Sequence, residues 1–162
     1  MIKVSVGLVA YNMSSKEILE ISSSLNQDIL CQKVVVDNSL LDSKRDEFEE
    51  QGWEYFHNPK NPGFGASHNW IFENYGRNHA FHLIINPDIT YTGKVIEKLA
   101  EFLILNPIAS SVMPKILYPD GRNQNLAKLL PRPIDLLYRR IPATILRKRR
   151  TEMEIKSNSQ TV

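Results

Sequence analysis

The segment KVSVGLVAYN, residues 3–12, decides the fold class that the sequence predicts. Residues 3–10 form a nearly continuous apolar run that is rich in β-branched side chains, and the chain then turns polar at Tyr11 and Asn12. A strand that is buried on both faces of a parallel sheet is apolar along its whole length. We therefore predict a central, fully buried strand close to the N-terminus.

Strands and helices alternate along the chain that follows. Further strands are predicted at residues 33–36, 53–57, 80–85 and 111–117, and helices at 14–25, 43–51, 66–75 and 93–105. The last helix should bury one side, made of Val95, Ile96, Leu99, Phe102 and Leu103. Such alternation predicts an α/β sandwich with a mainly parallel sheet.

Local signals mark two of the helix ends. Ser14 and Glu17 have the spacing of a capping box, in which each side chain bonds the backbone N–H of the other residue. Gly76 follows the third predicted helix and is expected to be its C-terminal cap. A turn is predicted at residues 118–121, which read Tyr-Pro-Asp-Gly.

Length and composition exclude several classes of protein. The chain has 162 residues, of which 42% are hydrophobic, so it can bury one ordinary core. The single cysteine, Cys31, excludes an internal disulfide framework and a multi-cysteine zinc site, which favours a reducing, cytoplasmic location. The first strand lacks the glycine fingerprint of dinucleotide-dependent oxidoreductases. The four histidines show neither metal-ligand spacing nor a paired nucleophile.

Basic residues are concentrated late in the sequence. Residues 115–150 carry ten Lys or Arg against two Asp or Glu, whereas residues 1–114 carry nine against fourteen. We accordingly divide the chain into residues 1–125 and a basic segment with a polar tail, residues 126–162. Within it, residues 132–150 interleave apolar and basic side chains, which fits an amphipathic segment on the anionic inner face of a membrane. A solvated linker is the alternative, and no nucleic-acid-binding module is recognisable.

Polar residues follow three of the predicted strands. They are Tyr11 and Asn12, then residues 37–39, and then residues 86–88. Ligands of parallel sheets bind at the carboxyl ends of the strands, where the loops carry the polar groups. The three polar stretches are therefore predicted to share one edge of the sheet.

Two carboxylates at this edge are candidate ligand contacts. Asp37 can accept hydrogen bonds from a nucleobase or a ribose, although an Asx-turn or a helix cap would also explain it. Pro87 forbids a continuing central strand, which leaves Asp88 at the rim. One carboxylate with ligand phosphates and water is the usual way to hold Mg²⁺, and a cap or a closed turn is the alternative.

The loop at residues 58–65, NPKNPGFG, leads into the third helix. Its glycines let backbone N–H groups approach a ligand, and the positive end of the helix suits phosphate. A plain connection between a strand and a helix is the alternative. Asn69, one turn into the helix, is either directed at the same rim or a surface residue.

Five segments together resemble a known family. VSVGLVAYN, VVVDNS, NPGFGASHN, HLIINPDI and VMPKILYPDGRNQ occur in the order found in family 2 glycosyltransferases of the GT-A fold. Within this family, the sequence resembles the bacterial rhamnosyltransferase-like enzymes of cell-surface polysaccharide synthesis. The resemblance covers residues 3–142 and corresponds to the N-terminal half of such enzymes. It implies a Rossmann-like sandwich and a nucleotide diphosphate sugar as donor, with dTDP-rhamnose among the donors expected.

The resemblance also implies residue roles. Tyr11 and Asn12 would line the base pocket, and Asp37 would hydrogen-bond a uracil or thymine ring. Gly63, Phe64 and Gly65 would shape the wall of the donor site, and Asn69 would reach towards the sugar. Asn86 and Asp88 stand where relatives carry an Asp-x-Asp motif, so Asp88 would ligate Mg²⁺ or Mn²⁺ with Asn86 as a weaker helper.

The sequence departs from the family pattern after residue 142. Relatives continue into a second half that carries the acceptor-binding loops and the general base, and we expect this chain to be truncated before that half. A general base contributes ~10²–10⁴ in rate, so sugar transfer should be weak or absent while donor binding persists. A non-catalytic nucleotide-sugar-binding remnant and a membrane-surface module are the alternatives to an inverting glycosyltransferase. A lipid-linked acceptor is the expected partner.

Overall fold

The computed structural model describes residues 2–25, 28–118 and 120–124. Contacts between residues divide the chain into two units, Met1–Val112 and Met113–Val162. The basic segment and polar tail predicted at residues 126–162 lie outside the described residues. The predicted membrane contact of residues 132–150 therefore stays a prediction.

The first unit alternates strands and helices, as predicted. Its elements are β1 (Val4–Ala10), α1 (Ser15–Ser24), β2 (Leu30–Asp37), α2 (Arg45–Glu50), β3 (Glu54–His57), α3 (Phe64–Asn74), a short 3₁₀ helix (Gly76–Asn78), β4 (Phe81–Ile85) and α4 (Val95–Leu105). The longest described helices have 11 residues. Among the described residues, no helix is long and apolar enough to cross a membrane.

The four strands form one sheet in the order β3-β2-β1-β4, and every neighbouring pair is parallel. β1 is central: Leu8 is paired with Val35 of β2 on one side and with Ile85 of β4 on the other. All seven residues of β1 are buried. The predicted α/β class and the parallel sheet are confirmed, and the arrangement is compatible with a Rossmann-like fold.

Successive residues of β1 point to opposite faces of the sheet, and each face has its own apolar cluster. On one face, Val6 and Leu8 belong to the larger cluster, which contains Ile18 and Ile21 of α1. On the other face, Val9 packs in a smaller cluster with Ile71 of α3. The sheet is therefore covered on both sides, which explains why β1 has no polar face.

The predicted capping box at the start of α1 is confirmed. The Ser14 hydroxyl accepts the Glu17 backbone N–H at 3.3 Å, and the Glu17 carboxylate accepts the Ser14 backbone N–H at 2.8 Å. The bonds that the Glu17 carboxylate accepts, from the Ser14 backbone N–H and then from the Ser14 hydroxyl, hold the pKa of this carboxyl below its usual value. The box fixes the first turn of α1 and so presents Ile18 and Ile21 to the sheet.

Three expectations about the fold are wrong. Residues 111–117 form no strand; Leu117 makes only an isolated antiparallel bridge to Asn123. The Gly121 N–H donates to the Tyr118 carbonyl at 2.9 Å, which is the bond that the turn predicted there requires. Phe102 of α4 is 48% exposed, because Ile96 and Ala100 make the buried contacts of that helix.

Gly76 is the third correction. It was expected to take the left-handed conformation of a C-terminal cap, but its φ is not positive, and it opens the 3₁₀ helix. A Cβ at this position would lie 2.7 Å from the Phe72 ring and 2.9 Å from the His82 ring. Gly76 is therefore required for close packing against these rings.

Candidate functional site

The strand order identifies the edge at which a ligand is expected to bind. The chain runs outwards from β1 to β2 and β3 on one side, and reaches β4 on the other side, so the order reverses between β1 and β4. In open parallel sheets, ligands bind in the crevice outside the carboxyl ends of the strands at such a switch point. Tyr11 and Asn12 directly follow β1, and Asn86 directly follows β4. Sequence reasoning thus selected the residues that flank the switch point.

The end of β1 has an unusual backbone. Asn12 has a φ of 51°, in the left-handed region that few residues other than glycine adopt. Its backbone N–H donates to the Ser39 hydroxyl at 2.7 Å, across the edge of the sheet to the loop that follows β2. The adjacent Tyr11 side chain is 60% exposed and is available for contact with a ligand.

Asp37 is the centre of a buried hydrogen-bond network and is only 1% exposed. Its Oδ1 accepts both the backbone N–H of Ser39, at 2.9 Å, and the Ser39 hydroxyl. Its Oδ2 accepts the Tyr55 hydroxyl at 2.8 Å. Burial, and next the bond to Asp37, raise the pKa of the Tyr55 phenol, so this group stays protonated and keeps donating.

The contacts of Asp37 are compatible with both interpretations of this residue, a turn and a ligand contact. The bonds to Ser39 are those of an Asx-turn, so the turn chemistry considered from the sequence is present. Each carboxylate oxygen has two acceptor positions, and Oδ2 has one donor, so one position remains for a ligand N–H. A base would reach it only after the side chains that cover Asp37 move aside.

A second link joins β2 to the start of α3. The Asn38 amide N–H donates to the Ser67 hydroxyl at 2.9 Å, and that hydroxyl lies 3.2 Å from the Asn38 amide oxygen. Both residues are buried. This contact fixes the first turns of α3 relative to the carboxyl end of β2.

The start of α3 is open. Gly63 has a φ of 94°, and the helix begins at Phe64, earlier than predicted and without a side-chain cap. A Cβ at Gly63 or Gly65 would meet no atom within 4 Å, and Phe64 is 48% exposed. The uncapped N–H groups and the free space suit an approaching anion. Asn69 is exposed on the same helix.

Asn86 and Asp88 are both exposed on the loop after β4, as expected at a rim. The Ile89 N–H donates to the Asn86 carbonyl at 3.4 Å, so a turn-like contact is present. In the described part of the chain, no three side chains of His, Cys, Asp or Glu gather as a preformed metal site. Asp88 could therefore hold a cation only together with ligand oxygens and water, an arrangement that suits Mg²⁺.

Two histidines, the buried His68 and the partly buried His82, lie on the α3 side of the sheet. His68 is 5% exposed, and neither of its ring nitrogens has a hydrogen-bond partner among the residues that the structure describes. Nδ1 of His82 lies 2.8 Å from the Ser5 hydroxyl, whereas its Nε2 has no hydrogen-bond partner within the described part of the chain. Burial, and next the charge of His82, lower the pKa of His68 to about 4.

The opposite edge of the sheet carries a shallow cavity of about 160 Å³. It is lined by Leu30, Cys31, Gln32, Lys33, Gly52 and Glu54 at the amino ends of β2 and β3. The Lys33 amine is already bonded to the Gln51 carbonyl at 2.6 Å. Because loops at amino ends rarely build ligand sites in parallel sheets, we place the candidate site at the carboxyl edge.

Sequence reasoning missed several contributors to this edge. These contributors are contacts between residues that are far apart in sequence or on different elements. They are the bond from Tyr55 to Asp37, the bond between Asn12 and Ser39, and the Arg45 guanidinium, which lies 4.7 Å from the centre of the Tyr55 ring. Such contacts leave no spacing pattern in a single sequence.

No family model matches the chain, and no curated protein matches it, so its function has to be inferred from residues and geometry.

Proposed function

We propose that the chain binds a nucleoside diphosphate sugar at the carboxyl edge of its sheet, as the donor-binding part of an inverting family 2 glycosyltransferase of the GT-A fold. The observation that carries this proposal is the strand order, which reverses between β1 and β4 and flanks the switch point with Tyr11, Asn12 and residues 86–88. Nucleotides bind at that point in doubly wound sheets.

The roles of the residues follow from their positions around this point. The exposed Tyr11 ring offers a face for the base, and Asn12 lies beside it. Asp37 has one acceptor position left on Oδ2, which suits the imide N–H of uracil or thymine. The family resemblance of the VVVDNS and NPGFGASHN segments supports the same assignment.

The diphosphate is assigned to the space between the start of α3 and the loop after β4. Phe64 and Gly65, in the uncapped first turn of α3, offer backbone N–H groups there, whereas the Gly63 N–H already donates to the Asn61 side chain at 3.3 Å. Asn69 is exposed one turn further along and is assigned to the sugar. Asp88, helped by Asn86, is assigned to a divalent cation that would also contact the phosphate oxygens. When bound, Mg²⁺ or Mn²⁺ would neutralise the diphosphate and stabilise it as a leaving group.

Calorimetry with UDP and with dTDP tests the binding proposal. We expect one of the two diphosphates to bind the full chain in EDTA, and Mn²⁺ or Mg²⁺ to tighten binding by about tenfold, which corresponds to about 1.4 kcal/mol. If neither nucleotide binds, with or without metal, the proposal is wrong.

A product assay then separates an enzyme from a binding protein. The chain is incubated with the matching nucleotide sugar and a divalent metal, with and without a lipid-linked acceptor, and the release of nucleoside diphosphate is followed. Release above the rate without protein identifies an enzyme. Tight donor binding without release identifies the non-catalytic remnant that the sequence also allowed.

A further inference from the structure

The hydrogen bonds of Ser39 join the ends of three strands. Its hydroxyl accepts the Asn12 N–H at 2.7 Å and donates to Oδ1 of Asp37, and its carbonyl accepts Nε2–H of His57 at 2.9 Å. Asn12 follows β1, Asp37 ends β2, and His57 ends β3. Ser39 therefore links the carboxyl ends of three of the four strands, β1, β2 and β3.

Ser39 does not need to touch a ligand to influence the site. It is 6% exposed, and each of its polar groups is already bonded within the protein. A bound molecule would meet Tyr11 and the loops around it instead. An effect of Ser39 on binding must therefore act through the residues that it holds.

The residue held most directly is Asn12. Its φ of 51° lies in the left-handed region, which Asn and Asp adopt more readily than other residues with a side chain. The bond from the Asn12 N–H to the Ser39 hydroxyl restrains the planar peptide unit that joins Tyr11 to Asn12. Because Tyr11 is part of the same peptide unit, this bond also restrains the direction in which the exposed Tyr11 leaves β1.

Asp37 orients the Ser39 hydroxyl for this task. A serine hydroxyl has one proton, and here that proton is directed at Oδ1 of Asp37, which leaves the oxygen lone pairs for the Asn12 N–H. A carboxylate acceptor also makes the hydroxyl oxygen a better acceptor, because hydrogen bonds in a chain polarise one another. These two consecutive hydrogen bonds, from Ser39 to Asp37 and from Asn12 to Ser39, thus couple the carboxylate at the end of β2 to the backbone at the end of β1.

We propose that Ser39 is a positioning residue that holds Asn12 and Tyr11 in the geometry that receives the nucleotide. The proposal rests on the proposed function for the ligand, but its structural part, the control of the β1 end by the Ser39 hydroxyl, does not require any ligand.

The test compares Ser39→Ala and Ser39→Thr with a matched control, Ser22→Ala. Ser22 is also a buried serine, and its hydroxyl accepts Nε1–H of Trp53 at 2.8 Å, beneath the sheet rather than at the carboxyl edge. Calorimetry measures UDP and dTDP affinity, and urea unfolding shows which variants are folded. Backbone amide NMR of the unliganded chain reports the conformation at Tyr11 and Asn12.

We expect Ser39→Ala to weaken nucleotide binding about tenfold and to shift the Tyr11 and Asn12 amide signals. Ser39→Thr, which keeps the hydroxyl, should stay within about threefold of the wild type. Ser22→Ala should lower stability without changing affinity or those signals. Unchanged Tyr11 and Asn12 signals in folded Ser39→Ala would overturn the proposal.

The two parts of the test fail in different ways. If the wild type binds neither UDP nor dTDP, the proposed function fails, and the NMR comparison still decides whether Ser39 controls the β1 end. If the wild type binds and Ser39→Ala binds equally well, the proposed function stands and the positioning role is refuted. Equal losses in Ser39→Ala and Ser22→Ala would also refute it, because general destabilisation would then explain both.

Discussion

The Tyr55 hydroxyl on β3 donates to Oδ2 of Asp37 on β2 at a distance of 2.8 Å, and both side chains are buried. This bond gives Oδ2 of the buried Asp37 carboxylate a hydrogen-bond donor. The Tyr55 ring also packs against Phe48 of α2, with ring centres 5.6 Å apart. One side chain thus contributes to the core and to the candidate site.

Tyr55→Phe should lower the free energy of unfolding by roughly 1.5–3 kcal/mol, because it removes a hydrogen bond to a buried charged acceptor and keeps the ring. Urea denaturation at pH 7 measures the change. Tyr11→Phe is the control, since Tyr11 is 60% exposed and should change stability by less than about 0.5 kcal/mol. Equal stability of Tyr55→Phe and the wild type would show that Asp37 finds another donor.

His68 should make the fold sensitive to acid. Its pKa is lowered from 6.5 to about 4 in the fold, first by burial and then by the charge of His82. Between these values the unfolded chain binds more protons than the folded chain, so stability falls as pH falls. The loss approaches roughly 1.4 kcal/mol per pH unit for each such histidine. His82, whose pKa is also lowered by burial and then by His79, adds in the same direction.

His68→Leu tests this account. The variant removes two unpartnered ring nitrogens from a buried position, so it should be more stable than the wild type at pH 7, by about 1–3 kcal/mol. It should also lose less stability between pH 6.5 and 5, a range above the titration of most carboxyl groups. Identical pH slopes for the variant and the wild type would contradict the assignment.

Gly76→Ala should cost roughly 1–3 kcal/mol, because its Cβ would lie 2.7 Å from the Phe72 ring and 2.9 Å from the His82 ring. Gly65→Ala is the matched control in helix α3, where a Cβ meets nothing within 4 Å. Alanine is the better helix former by up to about 1 kcal/mol, so this control should be neutral or stabilising. Thermal unfolding of both variants measures the difference, and equal effects would refute the packing role of Gly76.

The parts of the fold that depend on local sequence could be predicted. The apolar run of β1 and the pairing of Ser14 with Glu17 are local patterns, and both are as expected. The prediction that Phe102 is buried is wrong, because helical spacing places several residues near the apolar side of α4. In the fold, Ala100 and not Phe102 is buried against the rest of the protein. Gly76 was misassigned because a glycine after a helix is usually a cap, and its crowded neighbours come from other parts of the chain.

The candidate site divides in the same way. The placement of Asn12 and Asp88 at one edge follows from the parallel topology, which an alternating pattern of strands and helices predicts. The bonds that hold Asp37 could not be predicted, since they depend on which side chains of β3 and of the loop after β2 face it in three dimensions. The network determines whether Asp37 is free for a ligand, so the sequence located this residue without revealing its surroundings.

Asp88 provides the test of the proposed cation. Asp88→Asn keeps the size of the side chain and removes its charge, so the increase in UDP or dTDP affinity caused by Mn²⁺ should be lost while binding in EDTA is retained. Asp88 is exposed, so the free energy of unfolding should change by less than about 0.5 kcal/mol. Calorimetry in EDTA and in Mn²⁺ measures both binding constants.

Asp28→Asn is the control, because Asp28 is also exposed but precedes β2, at the amino edge of the sheet. It makes the same change in net charge and should leave the metal-dependent increase intact. If both variants lose the increase equally, long-range charge explains it, because charges at a distance also attract cations. If neither variant loses it, the cation is held elsewhere and Asp88 is not its ligand.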